Sequence, residues 1–196
     1  DDERAGGEPT LRPSVLQSLL RVRRHNLDGG IAQLDLFECA AQFQLTATGA
    51  AGSGTGQGHR ETAVVAMLID GVSTAAADRD LCYRRCRGIV ERIARLLGGP
   101  RATVSVDPSN GAPWLSPGGR VRINGVDVGT IGLIATPVLT QFGLERPIAA
   151  AELSLTGLYQ SYPPDTRATA TPAFPAIDRD ISAIVEERVS WKEMTS

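Results

Sequence analysis

Lysine is almost missing from this sequence, with Lys192 alone beside 19 arginines, a skew that codon bias explains better than function. Neither sign of charge dominates either, since 20 basic side chains face 22 acidic ones for a net charge of −2. No global basic field therefore draws the chain to nucleic acid or to an anionic membrane, and any such contact must be local. Cysteine is sparse and odd in number, at Cys39, Cys82 and Cys86, so no even disulfide framework exists and a reducing compartment, the cytoplasm, is expected. No apolar run approaches the ~20 residues of a spanning helix, which leaves no basis for a membrane partner. The acidic start Asp1-Asp2-Glu3-Arg4 also lacks the basic and apolar regions of a signal peptide. What is present, in 196 residues, is a globular composition of 42% hydrophobic and 21% charged side chains. That length supports one domain or at most two, with enough chain to bury a core.

Residues 1–10 are a polar lead-in, after which Pro13 suits a first helical turn and Val15, Leu16, Leu19, Leu20 and Val22 share one helical face to about Asn26. Leu34, Leu36 and Phe37 open a strand through Phe43, and Val64 to Ile69 form another. Between them the small, glycine-rich stretch from Ala47 to Gly58 reads as the connector of a long antiparallel hairpin. A helix capped by Asp78 or Asp80, with apolar positions Leu81, Ile89, Ile93, Leu96 and Leu97, is expected up to Gly98-Gly99-Pro100. Short strands follow over 103–106, 121–123 and 126–134, with Asn124-Gly125 a two-residue hairpin signal between the last two. A short helix from Thr136-Pro137 to Phe142 and a strand over 148–155 complete this region. Tyr159 to Pro172 reads as a linker, Ile181 to Val185 as a strand, and Ser190 as the cap of a helix at Trp191 that is soon cut off. The absence of an initial Met and this abrupt ending lead us to expect a piece of a longer chain. Antiparallel strands with a few packing helices make the fold class α+β.

Obvious catalytic apparatus is thin. The run Gly52-Ser53-Gly54-Thr55-Gly56-Gln57-Gly58 is followed by His59-Arg60 and a β-like stretch, whereas a phosphate loop needs a helix there, with Lys-Ser or Lys-Thr at its end. Cys82 and Cys86 share a helical face, but no second ligand pair accompanies them, so no metal site is expected. With only His25 and His59, both beside turns, and no nucleophile motif, a triad is not expected. The arginines of the long helix, Arg84, Arg85 and Arg92 foremost, are candidate RNA-phosphate contacts. A solvated face with intrahelical ion pairs explains the same pattern.

Taken in order, the segments resemble one family, the β subunit of bacterial phenylalanine-tRNA ligase. The resemblance rests on Leu11-Arg12-Pro13-Ser14-Val15-Leu16 with Leu19-Leu20 and Asn26, Leu36-Phe37-Glu38 ending at Phe43, and Tyr83 with Arg87-Gly88-Ile89-Val90-Glu91. It continues through Leu115-Ser116-Pro117-Gly118, Ile131-Gly132 with Pro137-Val138-Leu139, Ala151-Glu152-Leu153, and Phe174-Pro175-Ala176-Ile177 with Arg179-Asp180-Ile181. It implies that residues 11–160 are a module similar to a class II aminoacyl-tRNA synthetase core, an antiparallel sheet with flanking helices, that has lost catalysis. Residues 161–196 are then a linker and the opening strand of a ferredoxin-like anticodon-binding domain.

In an active class II core, arginines after the second-motif and third-motif strands hold ATP. The matching positions here are Gln44 and Gly157, neither able to supply a fixed cation. The resemblance therefore implies a fragment with no catalytic, cofactor-binding or metal-binding residues of its own. Its parent assembly, an α2β2 enzyme, would use ATP and magnesium to charge tRNA with phenylalanine, and the α subunit would do the chemistry. Val15, Leu16, Leu19 and Leu20 are candidates for the core or for contact with α. Gly143-Leu144-Glu145-Arg146 spells a class II ATP-binding signature, but the Pro147 that follows and the short apolar run before it make chance the better explanation. The sequence departs from the family where a histidine is usual before Pro117 and over Ala135-Thr136, and where Arg87 replaces a usual lysine. Two rival functions remain: an RNA-binding module acting through the arginine-rich helix, and a stand-alone synthetase paralogue with a small-ligand site.

Overall fold

The computed structural model describes residues 11–46, 58–108, 112–164, 179–180, 182–186, 188–189 and 191–194. Two compact units are separated after Thr166. In the first, helix α1 (Leu16–Asp28) buries Leu16, Leu19, Leu20 and Arg23 along one stripe and ends at Gly29-Gly30. Strand β1 (Leu36–Thr46) pairs antiparallel with β2 (Gly58–Asp70), in a register that sets Leu36 against Leu68 and Gln44 against Arg60. The long hairpin expected from the sequence is thus formed, while its connector over 47–57 and the lead-in 1–10 lie outside the described residues.

Helix α2 (Ala76–Gly98) starts before the expected Asp78 or Asp80 cap. Its N-cap is Ala75, and Asp78 sits buried in the first turn, where it accepts a hydrogen bond from Ser73. The fully buried stripe is Asp78, Cys82, Cys86, Val90 and Ala94, and of the larger apolar side chains the sequence favoured, Ile93 and Leu97 pack against this core half-buried. Leu81, Ile89 and Leu96 are exposed instead, because the sheet beneath presents Ala149 and Ala151 and the helix approaches it with its small residues.

Strands β3 (Val104–Asp107), β4 (Leu115–Ile123) and β5 (Val126–Ile134) form a meander whose last turn has positive φ at both Asn124 and Gly125, 51° and 82°, as that dipeptide predicts. β4 begins six residues before the expected Val121, since Ser116-Pro117 is carried in the strand by a register irregularity between Leu115 and Gly118. Helix α3 (Thr136–Gln141), with Pro137 in its first turn, leads to β6 (Ile148–Ser154). β6 runs directly into α4 (Leu155–Tyr159), a helix that the pattern does not mark between the strand expected to 155 and the linker expected from Tyr159; Ser154 Oγ caps it by accepting from Gly157 N at 3.2 Å.

The six strands make one antiparallel sheet in the order β1-β2-β6-β5-β4-β3. Side chains alternate between its faces. On one face Met67, Ile69, Ile131, Ala149, Ala151 and Leu153 pack with the buried stripe of α2. On the other, Val64, Ala66, Leu68, Ile148 and Ala150 pack with the leucines of α1, each worth about 1.5–3 kcal/mol of transfer free energy. β6, central and covered on both sides, is buried from Ile148 through Leu153. Gly129 is required where β5 meets β6: its φ is 147°, and a Cβ there would stand 2.0 Å from Glu152 O.

In the second unit, Arg167–Ser196, residues 182–186 are exposed and form no strand, which corrects the strand expected over 181–185. Among the described residues of this unit no other strand stands by to accept its hydrogen bonds. Helix α5 (Trp191–Met194) is present, while the expected cap Ser190 and the linker from Asp165 to Pro172 lie outside the described residues.

Candidate functional site

α1 covers only part of its sheet face. Beyond its first residues the face opens into a cleft of about 590 Å³ whose lining includes Gln42, Gln44, Arg60, Thr130, Glu152 and Gly157. Strand alternation explains most of this group. Gln42 and Gln44 project from β1 on the face shared with Thr62 and Arg60 of β2, their register partners, and Thr130 lies directly across from Glu152. Gly157 arrives from α4, just after β6 ends.

Glu152 anchors the cleft. It is 8% exposed, and its Oε1 accepts from Val15 N at 2.7 Å and from Ser14 Oγ at 3.1 Å. Val15, the N-cap of α1, has no capping side chain; Ser14 Oγ accepts from Leu16 N at 3.1 Å, and a carboxylate from the middle of the sheet takes the donor on Val15, where the helix dipole favours negative charge. Burial nevertheless pushes the Glu152 carboxyl above the usual range, against the pull of these donors and of Arg12. Arg12 ties the incoming chain to β1: its Nε donates to Ala41 O at 3.1 Å, Nη2 pairs with Glu38 at 3.1 Å, and its own carbonyl accepts from Phe43 N at 2.9 Å.

The geometry brings Gln44 and Gly157, the two positions at which ATP-binding arginines were expected to be replaced, into the same cleft. Gln44 is exposed and neutral, and Gly157 is buried and carries no side chain. Two cations do line the cleft, from positions the sequence reading passed over. Arg120 is held in a two-pronged pair with Asp127, at 3.0 and 2.8 Å, which spends its planar fork on a neighbour. Arg60 is exposed opposite Gln44. Counting both arms of the hairpin from its connector would have found Arg60, whereas the pairing of Arg120 depends on an irregularity after Val121 that no periodicity reveals.

The other candidates lie elsewhere. Val15, Leu16, Leu19 and Leu20 are 0–3% exposed, packed inside this chain between α1 and the sheet. On α2, Arg84 pairs with Asp80, and Arg85 pairs with Asp35 and donates to Asp70 O at 3.2 Å, while Arg92 is exposed. Cys82 and Cys86 are 1% and 0% exposed, and burial pushes both thiols up, Cys86 to about 12, so neither is a nucleophile at neutral pH. Cys39 is exposed on β1. Among the described residues no group of three or more His, Cys, Asp or Glu is placed to hold a metal ion, and no helix is long and apolar enough to cross a membrane. Gly143-Leu144-Glu145-Arg146 precedes β6 instead of following a strand, so the signature stands outside a strand-to-helix context.

Solved structures similar in fold include a pyrrolysyl-tRNA synthetase from Desulfitobacterium hafniense, with a TM-score of 0.54 at 12% identity over 75% of this chain and 48% of that one. At that identity the likeness shows the fold alone, an antiparallel class II-like sheet with flanking helices. Among curated relatives, the phenylalanine-tRNA ligase β subunits of Oleidesulfovibrio alaskensis and Rhodopirellula baltica are each 28% identical over 96% of this chain, which spans 23% and 27% of their lengths. The β subunit of Xylella fastidiosa is 27% identical over 94% of this chain and 22% of its own. The chain thus covers about a quarter of the relatives it matches. Residues 7–155 match the family model described as the phenylalanyl tRNA synthetase beta chain CLM domain. Sequence order, sheet topology and these matches agree, and the chain belongs to that CLM domain family.

Proposed function

We propose that this chain is the non-catalytic, architectural module of the β subunit of an α2β2 phenylalanine-tRNA ligase, within an assembly that charges tRNA with phenylalanine in the cytoplasm. The observation that supports this reading is the cleft: the sheet and the strand-to-helix step after β6 are kept, yet Gln44 and Gly157 supply no fixed cation for a polyphosphate. Arg120 is committed to Asp127, and Arg60 is exposed with no partner among the described residues to fix its fork, so neither compensates. These residues do not fit ATP with magnesium, and the ATP chemistry is assigned to the α subunit. In this reading residues 11–160 are the module and 161–196 lead into a further domain.

The test is co-purification with a separately expressed α subunit, followed by sizing, an aminoacylation assay, and calorimetry of the isolated chain with ATP and magnesium. A stable complex together with no heat of nucleotide binding supports the proposal. Tight ATP binding by the chain alone, or a folded chain that never joins α, overturns it. Direct tRNA contact through α2 is the weaker reading, because Arg84 and Arg85 are already paired with carboxylates of this chain. A stand-alone paralogue with a small-ligand site would show tight small-molecule binding without any association with α.

A further inference from the structure

The segment Gly143-Leu144-Glu145-Arg146, to which the reading above gives no role, lines a second cavity of about 290 Å³ that shares no lining residue with the cleft. Arg23, Arg24 and Leu27 of α1, Asp70 at the end of β2 and Ile148 at the start of β6 complete its wall. Asp70 is 1% exposed. Its Oδ2 accepts from Arg23 Nε at 2.6 Å and from Leu34 N at 3.0 Å, whereas its buried Oδ1 has no partner. A buried carboxylate oxygen without a donor is costly, and a donor brought by a ligand would relieve it.

The cations around it are not equivalent. Arg23 is neutralised by Asp70 and spends its two terminal nitrogens on the carbonyls of Ile31 and Ala32, at 3.3 and 2.9 Å. Arg24 is neutralised by Asp28 and also donates to Gly143 O at 2.6 Å. Arg146 is half-buried, donates to Ala32 O at 3.0 Å, and pairs with no carboxylate among the described residues. Glu145, the remaining charged group of the lining, is exposed. Leu27, Leu144 and Ile148 add an apolar surface. The volume falls at the small end of ligand sites, which run from about 300 Å³ upward.

We propose that this cavity binds a small molecule carrying a hydrogen-bond donor on the carbon next to a carboxylate, an α-amino or α-hydroxy acid with a short apolar side chain. The donor meets Asp70 Oδ1, the carboxylate meets Arg146, and the apolar part lies on Leu27, Leu144 and Ile148. This site is independent of the architectural reading, since it uses neither the cleft nor any contact with α.

Four probes separate the two recognition elements: valine, 2-hydroxyisovalerate, isobutylamine, which lacks the carboxylate, and isovalerate, which lacks the donor. Each is titrated to about 20 mM, the range of weak small-ligand binding, into the 196-residue chain while backbone amide resonances are followed. Valine or 2-hydroxyisovalerate should give saturable shifts confined to Leu27, Leu144, Glu145 and Ile148, with both single-group probes weaker by about tenfold or more. Preference between the first two assigns the donor as ammonium or hydroxyl. Arg146→Met should weaken binding by about tenfold without changing the fold, and Asp70→Asn tests the other contact wherever it folds. Absence of saturable shifts with all four probes overturns the proposal. So does equal binding of isobutylamine and valine, or an Arg146→Met variant that binds as well as the parent chain.

Discussion

The two faces of one sheet are finished in different ways. Under α2 the fully buried contact is made mostly by small side chains, Cys82, Cys86 and Ala94 with Val90, against Ala149 and Ala151. Under α1 the contact is made by Leu16, Leu19 and Leu20, and it stops short: the rest of the face carries Gln42, Gln44, Thr130 and Glu152 and stays open as the cleft. The difference teaches that packing and site formation share one sheet by alternation. Strands that must be apolar on the α2 side are free to be polar on the other wherever α1 does not reach.

The comparison can be broken by truncation first. Leu16→Ala should cost about 2–5 kcal/mol, because a bulky anchor on the partly covered face leaves a cavity, whereas Val90→Ala on α2 removes less and should cost about 2 kcal/mol. Urea midpoints at constant slope report both, and equal losses would mean that the two faces are anchored alike. Overpacking probes the close approach itself. Ala151→Leu, at a position 0% exposed beneath α2, should destabilise by about 1–3 kcal/mol in the same measurement, and a neutral outcome would show slack that the packing does not predict.

Protonation sharpens the contrast further, since the cleft face holds a buried carboxyl. Burial raises the Glu152 carboxyl, so the folded chain holds this proton to higher pH than the unfolded one. Its contribution to stability therefore declines as pH rises from the ordinary carboxylate range through the raised value. Asp70, raised chiefly by burial as well, adds a decline of the same sign. Glu152→Gln should flatten part of this slope in a pH series of urea midpoints, and an unaltered slope would place the titration on another group. The smallest effect belongs to the open cleft. Arg120→Ala breaks a half-exposed pair with Asp127 and should cost about 0–1 kcal/mol, diminishing as salt is added. A larger loss that salt does not diminish would show that the pair is structural.

Much of the element order was legible because its signals are local. The α1 leucines repeat at helical spacing, Asn124-Gly125 specifies its hairpin, Gly29-Gly30 and Gly98-Gly99 punctuate helices, and Pro137 opens α3. The face of α2 was legible only in part: Ile93 and Leu97 pack on the core as their spacing suggests, but Leu81, Ile89 and Leu96 are exposed, because the alanines of β6 are met chiefly by Cys82, Cys86, Val90 and Ala94. α4 was hidden because its cap, Ser154, is also the last residue of a strand. The candidate site was half legible. Gln44 and Gly157 were named from the chain, but the cations that stand with them, and the hold of Glu152 on the start of α1, depend on register and on contacts between residues more than a hundred positions apart.

By itself, then, the sequence determined the succession of helices and antiparallel strands, the α+β class and the absence of arginine at the two named positions, because periodicity, turn chemistry and residue identity are properties of short windows. Only the tertiary structure decided which helix face is buried, where α1 stops short of covering the sheet, and which carboxylates are drawn from solvent. Those outcomes depend on the shape of the surface each element meets, and that surface is assembled from distant parts of the chain.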